Sequence, residues 1–286
     1  MIGGNKMGIK IIVDSASDMS NSESKHLKVL PLTVTFGDTQ YTDGVNLTAR
    51  EFYEKLVESD TLPKTSQVPP YDFEEAIEEV LAAGDTPIVV TVSSKLSGTY
   101  NSARIAVSAF DEKVYLIDSE NVCIGERVLV EYGIRLIEAG KNVEEVVEAM
   151  EDAKKKICLI ALLDTLEYLR KGGRVSNMAG VVGGMLAIKP VVGIQNGEIV
   201  VLGKARGSKN ANNLLTTQIQ EAGGIDFNMP YAVAYSGLDS SLADKYVEDQ
   251  KSVWKPYTDK IELKIVGSTI GTHAGPGAIA VAYFKE

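Results

Sequence analysis

The chain has 286 residues, of which 44% are hydrophobic and 24% are charged, a balance typical of a globular protein that can build more than one core. Its 39 acidic residues outnumber its 29 Lys and Arg residues, and the formal net charge of −10 disfavours non-specific binding to nucleic acid or to anionic membranes. No apolar run approaches the roughly 18 residues that a membrane-spanning helix requires. We therefore expect neither a nucleic-acid partner nor a membrane span.

The first half of the chain alternates apolar segments with amphipathic ones. The predicted strands cover residues 10–14, 29–36, 87–93 and 113–118. The predicted helices cover residues 50–58, 71–83, 98–109, 125–139 and 143–155. Gly84 suits a helix end with positive φ, and Asn142 suits a helix start. Strands that alternate with helices predict a parallel, doubly wound sheet with helices on both faces.

The pattern changes in the second half. A strand is predicted at 157–163, and Asn196-Gly197 predicts a tight hairpin between two apolar segments because both residues tolerate positive φ. Further strands are predicted at 231–235, 261–266 and 278–284, with a helix after Ser208 and another at 240–254. We expect a second α/β domain with a mixed or antiparallel sheet. The predicted domains are 8–156, with a polar excursion at 37–63, and 157–286.

The inventory of reactive residues excludes several classes of enzyme. The two cysteines, Cys123 and Cys158, have neither CxxC nor metal-ligand spacing, which predicts reduced thiols and a cytoplasmic protein. With only two histidines in addition, a zinc site would need several carboxylates. The chain contains no P-loop, no GxGxxG fingerprint and no GxSxG elbow. We therefore expect neither a metal nor a cofactor.

Two turns rich in hydroxyl groups precede predicted helices. Residues 93–99 (SSKLSGT) follow a buried strand, and ligands of parallel sheets bind where strands end and helices leave N–H groups unpaired. That one serine merely caps the helix is an equally open interpretation. Residues 64–67 (KTSQ) add further hydroxyls, although Ser and Thr are also ordinary residues before a helix.

Three other segments are candidates for a binding site. Residues 271–277 (GTHAGPG) hold His273 among glycines, where the ring could lie near a ligand or simply belong to a Gly-rich turn. Arg174 and Arg206 lie in basic segments and could each grip a carboxylate, or form surface salt bridges. Residues 178–192 are small and apolar and could line a tunnel, or form an ordinary core helix.

Taken together, these segments resemble the DegV family over nearly the whole chain. The matching motifs are VDS at 13–15, KTSQ at 64–67, SKLSGTYNSA at 94–103, YLRKGGRVS at 168–176, IKP at 188–190, GKAR at 203–206 and GTHAGPG at 271–277. Several motifs in one order make the resemblance specific. One departure is Val68, where the family usually continues with proline and this chain has Pro69 instead.

The resemblance implies a lipid-binding carrier that is not itself an enzyme. It implies that a long-chain fatty acid such as palmitate binds at the junction of two domains, where it is presented to a partner fatty acid kinase that makes an acyl phosphate. Thr65 and Ser94 are then expected to hold the carboxylate. Ser97 is the alternative to Ser94 if the serine assignment is off by one turn. His273 and Arg206 are expected nearby, with Arg174 as a further candidate.

Two other functions remain open at this point. A small-molecule hydrolase or acyltransferase could use His273 as its base and Ser94 or Ser97 as its nucleophile. A regulatory module could bind another anionic metabolite at the same residues.

Overall fold

The structure is a computed structural model that describes residues 8–175 and 188–286. Its strands are β1 (Ile9–Asp14), β2 (Leu27–Leu30), β3 (Thr33–Phe36), β4 (Thr39–Thr42), β5 (Lys64–Ser66), β6 (Thr86–Thr91), β7 (Tyr115–Asp118), β8 (Ile157–Leu162), β9 (Ile188–Gln195), β10 (Glu198–Arg206), β11 (Tyr231–Tyr235), β12 (Leu263–Ile265) and β13 (Ile279–Phe284). Its helices are α1 (Ala49–Glu58), α2 (Pro70–Ala82), α3 (Thr99–Val107), α4 (Ile124–Glu138), α5 (Val143–Ala153), α6 (Glu167–Gly172), α7 (Ser208–Glu221), α8 (Ser241–Asp249), α9 (Lys251–Trp254) and α10 (Ser268–Ala274). Ser176 and residues 178–187 of the predicted tunnel segment lie outside the described residues.

A parallel sheet with the order β2-β1-β6-β7 forms the first half of the fold, as predicted. Its central strands are apolar on both faces because helices cover both. Ile12 and Val89 pack in one core with α2 and α3, whereas Ile11 and Val90 pack in another with α4 and α5. The chain leaves β1 towards β2 on one side and returns to β6 on the other. The carboxyl ends of β1 and β6 therefore flank a crevice of the kind in which α/β proteins bind ligands.

A mixed sheet with the order β10-β9-β8-β13-β11-β12 forms the second half, also as predicted. Its neighbours are antiparallel except for β11 and β12. The predicted hairpin is present, with φ angles of +50° at Asn196 and +79° at Gly197. Ser93 is the second residue after β6, and its Oγ donates a hydrogen bond of 2.7 Å to the Gly197 carbonyl. The tip of the hairpin therefore rests on the parallel sheet.

Helix α4 lies between the two sheets and joins them through a shared core. Val128 and Leu129 belong to the same apolar cluster as Val13 of the parallel sheet and Leu159 and Ala282 of the mixed sheet. The predicted domain boundary between residues 156 and 157 falls where β8 begins. None of the helices in the described ranges 8–175 and 188–286 is long and apolar enough to cross a bilayer.

The polar excursion contains more structure than the single predicted helix. Strands β4, β3 and β5 form a small antiparallel sheet. Helix α1 follows β4 in the chain. The predicted extended piece at 29–36 is in fact two strands, β2 in the parallel sheet and β3 in the small one. Pro31 stands between them and has no N–H to continue a ladder.

The predicted Gly-rich turn at 271–277 begins inside a helix. Its first four residues belong to α10, which packs against α1. A Cβ atom at Gly271 would lie 2.6 Å from a ring carbon of Phe52 and 2.7 Å from the Tyr53 hydroxyl oxygen. Glycine at this position therefore lets the two helices approach closely.

Candidate functional site

A largely apolar cavity lies between the carboxyl edge of the parallel sheet and one face of the mixed sheet. It encloses about 930 Å³ of empty space, counting the part open to solvent at its mouth. Its apolar walls comprise Ala16, Leu32, Val92, Leu96, Val122, Leu159, Ala161, Leu163, Leu169, Val192, Gly193, Ile194, Ile199, Val266, Ile270, Ala274, Ala278 and Ala280. Thr65, Ser97, Cys123, Arg174, Thr269 and His273 complete the wall.

The mixed sheet supplies one wall through alternate residues of its strands. Ala161 of β8 pairs directly with Ala280 of β13 on one side and with Val192 of β9 on the other, and all three line the cavity. Ile160 and Val281 point the opposite way, into a separate core with α7 and α8. Because successive side chains of a strand face opposite sides, the two alanines leave space on the cavity side only.

Four polar side chains of the cavity wall are candidates for holding a ligand. The Nε2 atom of His273 lies 2.9 Å from Thr65 Oγ1. Arg174 Nη1 donates a 2.5 Å hydrogen bond to the carbonyl of Gly172, and a Cβ atom at Gly172 would lie 2.3 Å from His273 Nδ1. Arg174 Nε donates to the carbonyl of Leu96 at 3.3 Å, next to Ser97 in the chain. We call Thr65, Ser97, Arg174 and His273 the polar group of the cavity.

The charge of the polar group comes from Arg174. Burial, and secondly the positive charge of Arg174, lower the pKa of His273 to about 4, so the imidazole is neutral at pH 7. Two of the five N–H donors of Arg174 are used in its contacts with backbone carbonyls. One fixed cation beside hydroxyl and imidazole groups suits a carboxylate, which accepts several hydrogen bonds and carries a single negative charge.

Of the two candidate serines, Ser97 lies in the cavity wall and Ser94 does not. Ser97 Oγ is 2.9 Å from Thr99 Oγ1 and accepts a hydrogen bond of 3.2 Å from the Thr99 N–H at the start of α3. Ser94 is exposed, and its own N–H donates to a carboxylate oxygen of Asp118 at 3.2 Å. The tight turn after β6 therefore places Ser97, the alternative candidate, in the cavity wall.

The two candidate arginines also differ in their position relative to the cavity. Arg206 is exposed at the end of β10, and its carbonyl accepts a hydrogen bond from the Asn210 side chain at 3.0 Å. It is absent from the cavity wall formed by the described residues, whereas Arg174 lies in it. The structure thus brings together Thr65, Ser97, Arg174 and His273, and leaves Ser94 and Arg206 outside.

Cys123 also belongs to the cavity wall, although no sequence pattern marked it as a binding residue. Cys123 lies in the wall with a positive φ of +56°, and its thiol donates to Asp18 Oδ2 at 3.0 Å. Burial raises the pKa of this thiol well above its ordinary value, so it remains protonated and unreactive.

Gln67 donates to Ser102 Oγ at 2.7 Å. A Cβ atom at Gly98 would lie 1.9 Å from the Gln67 side-chain oxygen, so the KTSQ segment packs directly on the start of α3.

The contacts of His273 do not form a hydrolytic triad. Its Nε2 atom faces the hydroxyl of Thr65, and in the described part of the chain its buried Nδ1 atom has no hydrogen-bond partner. A triad requires the base to contact the nucleophilic serine and to be oriented by a third group.

Within residues 8–175 and 188–286, no cluster of three or more His, Cys, Asp or Glu side chains is placed to hold a metal ion.

Comparison with known proteins identifies relatives along the whole chain. The sequence model of the family described as "Uncharacterised protein, DegV family" matches residues 8–286. A DegV domain-containing protein of Caldanaerobacter subterraneus subsp. tengcongensis is 34% identical, and the alignment covers 97% of this chain and 99% of that protein.

Solved structures agree in fold. A DegV family protein from Thermus thermophilus, whose structure is described as "Fatty Acid Binding of a DegV family Protein", superimposes with a TM-score of 0.86 at 27% identity. The superposition covers 97% of this chain and 100% of the other. A fatty acid (stearic acid)-binding protein from Eubacterium ventriosum superimposes with a TM-score of 0.87 at 26% identity, covering 97% and 98%. Family match, sequence identity and fold all lead to one conclusion: this chain belongs to the DegV family.

Proposed function

We propose that the chain binds a long-chain fatty acid in the cavity, with the carboxylate at the polar group and the acyl chain along the apolar walls. The observation that carries this proposal is the combination of long apolar walls with a single cationic and hydroxyl-bearing group. The similar proteins of Thermus thermophilus and Eubacterium ventriosum, described as binding fatty acids, support it.

The apolar walls would supply most of the affinity. A chain such as palmitate has about 14 methylene groups, and their burial is worth roughly 0.8 kcal/mol each, on the order of 11 kcal/mol in total. Several kcal/mol are lost on immobilising the ligand. With charge-assisted hydrogen bonds at the carboxylate added, the remainder is sufficient for binding in the micromolar range or tighter.

The polar group would orient the ligand. An unpaired carboxylate beside apolar walls would be costly, and Arg174 together with the hydroxyls of Thr65 and Ser97 would offset that cost. A neutral His273 can hold the Thr65 hydroxyl without adding a second charge. We infer that Thr65, Ser97, Arg174 and His273 bind the carboxylate, and that Ser94 and Arg206 do not contact it.

We further propose that the protein is a carrier that presents the bound acid to a fatty acid kinase. Transfer of a phosphoryl group from ATP to the carboxylate would give an acyl phosphate and ADP. Phosphoryl transfer depends on positioning and on charge stabilisation, and the carrier would contribute the positioned carboxylate. Among the described residues, the His273 ring contacts the hydroxyl of Thr65 and no serine, which favours this role over a hydrolase.

Native mass spectrometry of protein purified from cells tests the binding proposal. We expect the wild type to carry an added mass equal to one fatty acid. Thr65→Ala with Ser97→Ala should lose most of that mass while remaining folded. Ser94→Ala is the matched control, since it removes a hydroxyl from an exposed serine outside the cavity wall. A wild type that shows only its own mass, and takes up no added fatty acid, would refute the proposal.

A coupled assay tests the kinase proposal separately. The loaded protein is mixed with a fatty acid kinase and ATP, and acyl phosphate is trapped with hydroxylamine as the hydroxamate. We expect product only when the loaded carrier is present. Equal product from free fatty acid without the carrier would show that presentation is not its role.

A further inference from the structure

Helix α10, which carries His273 near its end, is held at its start by the buried carboxylate of Asp43. Asp43 Oδ1 accepts from the Ser268 N–H at 3.2 Å and also from the Ser268 hydroxyl, and Oδ2 accepts from the Thr269 N–H at 3.3 Å. The first N–H groups of a helix have no partner within it, and a carboxylate there is favourable. Asp43 therefore pairs two of the N–H groups at the start of α10 that have no partner within the helix.

The same carboxylate reaches two other parts of the fold. Its Oδ2 atom accepts a hydrogen bond of 2.9 Å from Ser15 Oγ, directly after β1. Asp43 itself follows β4, the outer strand of the small antiparallel sheet, and its N–H donates to the carbonyl of Leu32 at 3.0 Å. One side chain thus connects the small sheet, the parallel sheet and α10.

The small sheet contacts α10 a second time at the other end of the helix. Thr65 belongs to β5 of that sheet, and its hydroxyl lies 2.9 Å from His273 Nε2. Midway along the helix, Gly271 packs against the rings of Phe52 and Tyr53. The small sheet and the residue that follows its strand β4 therefore contact α10 at both ends, through Asp43 at the start and Thr65 at the end.

We propose that Asp43 is a positioning residue that holds α10 where His273 meets Thr65, and so keeps the polar group assembled for a carboxylate ligand. This inference rests on the proposed binding of a fatty acid. Asp43 does not touch the cavity in the described part of the chain; it acts through the helix. A seven-residue helix is too short to be stable by itself, so the contacts at its ends decide where its side chains lie.

Asp43→Ala tests the inference with two readouts. The dissociation constant for palmitate should rise about tenfold, because a loosened α10 no longer fixes His273 and Thr65 together. The His273 ring signals in ¹H NMR should titrate closer to the ordinary pKa of 6.5 than to about 4, because solvent reaches the ring. The chain has only two histidines, so the signals of His26, near the Ile9 carbonyl, are an internal control.

Three companion variants make the test specific. Asp38→Ala removes an exposed aspartate of the same excursion and should leave both readouts unchanged. Asp43→Asn keeps one acceptor oxygen and should restore part of the affinity. Ser268→Ala removes only one of the donors to Asp43, so it should fold even where Asp43→Ala does not, and should shift both readouts in the same direction by a smaller amount.

Folded Asp43→Ala or Ser268→Ala protein with wild-type affinity and a wild-type His273 titration would overturn the positioning role. A wild type that binds no fatty acid would refute the proposed function instead, while the His273 titration would still decide whether Asp43 positions the helix. The two failures are therefore distinguishable.

Discussion

The Nε2 atom of His273 lies 2.9 Å from Thr65 Oγ1, although 208 residues separate them in the chain. Burial, and secondly the charge of Arg174, lower the pKa of this histidine from 6.5 to about 4. Its neutral form therefore stabilises the folded protein fully above pH 6.5, and this contribution is lost as the pH falls through about 4, because the unfolded chain binds the proton more tightly.

His273→Gln should remove that pH dependence. We expect the difference in free energy of unfolding between wild type and variant to be larger at pH 7 than at pH 4.5, by on the order of 2 kcal/mol. Urea denaturation of both proteins at the two pH values measures it. A difference that does not change with pH would mean that His273 titrates normally in the folded protein.

Buried carboxyl groups give a pH dependence of the opposite sign. Burial raises the pKa of Asp14 and of Asp18 to about 7, and raises that of Glu126 well above its ordinary value. Both carboxyl oxygens of Glu126 are buried without a hydrogen-bond partner in the described residues. The stability that Asp14 and Asp18 contribute is fully present below pH 4 and is lost as the pH rises through about 7. The raised pKa of Glu126 gives a pH dependence of the same sign.

Glu126→Gln should therefore stabilise the protein at high pH. The amide has nearly the same shape and no charge to lose, so we expect a gain of at least about 1 kcal/mol at pH 8 and a smaller one at pH 5. Denaturation midpoints at both pH values provide the comparison. Glu138→Gln, an exposed change on the same helix, is the control and should show no such trend.

Ala161 should limit the size of the ligand. It pairs with Ala280 in the cavity wall, so Ala161→Leu would fill space that an acyl chain needs. We expect stearate to bind about tenfold more weakly and laurate to be affected less. Ile160→Leu, on the opposite face of the same strand, is the control. Equal weakening for both chain lengths would indicate a general loss of packing.

A fluorophosphonate probe tests the hydrolase alternative, which stays a prediction. We expect no stoichiometric labelling of the wild type, because His273 contacts Thr65 and the described residues include no hydrogen bond from its ring to Ser94 or Ser97. Labelling that disappears in His273→Ala would instead favour an enzyme. Denatured protein provides the background for the measurement.

Local patterns were sufficient for the two large sheets. Continuous apolar runs marked β1 and β6, and Asn196-Gly197 marked the hairpin, because each depends on neighbouring residues only. The capping box at Asn142, whose side chain accepts from the Glu145 N–H at 2.9 Å, is local in the same sense. The parallel sheet and the mixed sheet of the structure confirm the fold class that these local features predicted.

Features that depend on distant contacts were not predictable in this way. Strands β4 and β5 are short and polar, and only pairing with β3 makes them strands. Helix α10 contains one glycine and two threonines among seven residues, all poor helix formers, and its position depends on Asp43 and α1. The predicted helix at 240–254 is interrupted at Gln250, between α8 and α9.

In the candidate site, too, some features follow from local sequence and others depend on distant contacts. The resemblance to the DegV family located both hydroxyl-bearing turns, but the choice between Ser94 and Ser97 depends on how the turn after β6 folds. There the carboxylate of Asp118 accepts from the Ser94 N–H, and Ser97 contacts Thr99. Likewise, Arg174 and Arg206 have similar sequence surroundings, and only the tertiary fold separates the one in the cavity wall from the exposed one.

The cavity lies where the two sheets and α10 meet, so its walls belong to the same interior that holds the halves together. An acyl chain bound there would act as a removable piece of hydrophobic core, linking β8 and β13 to the turns after β1 and β6. A molecule that carries its cargo would consequently resist proteases longer than one that has delivered it. Turnover of the protein would then follow the supply of lipid, without any separate sensor.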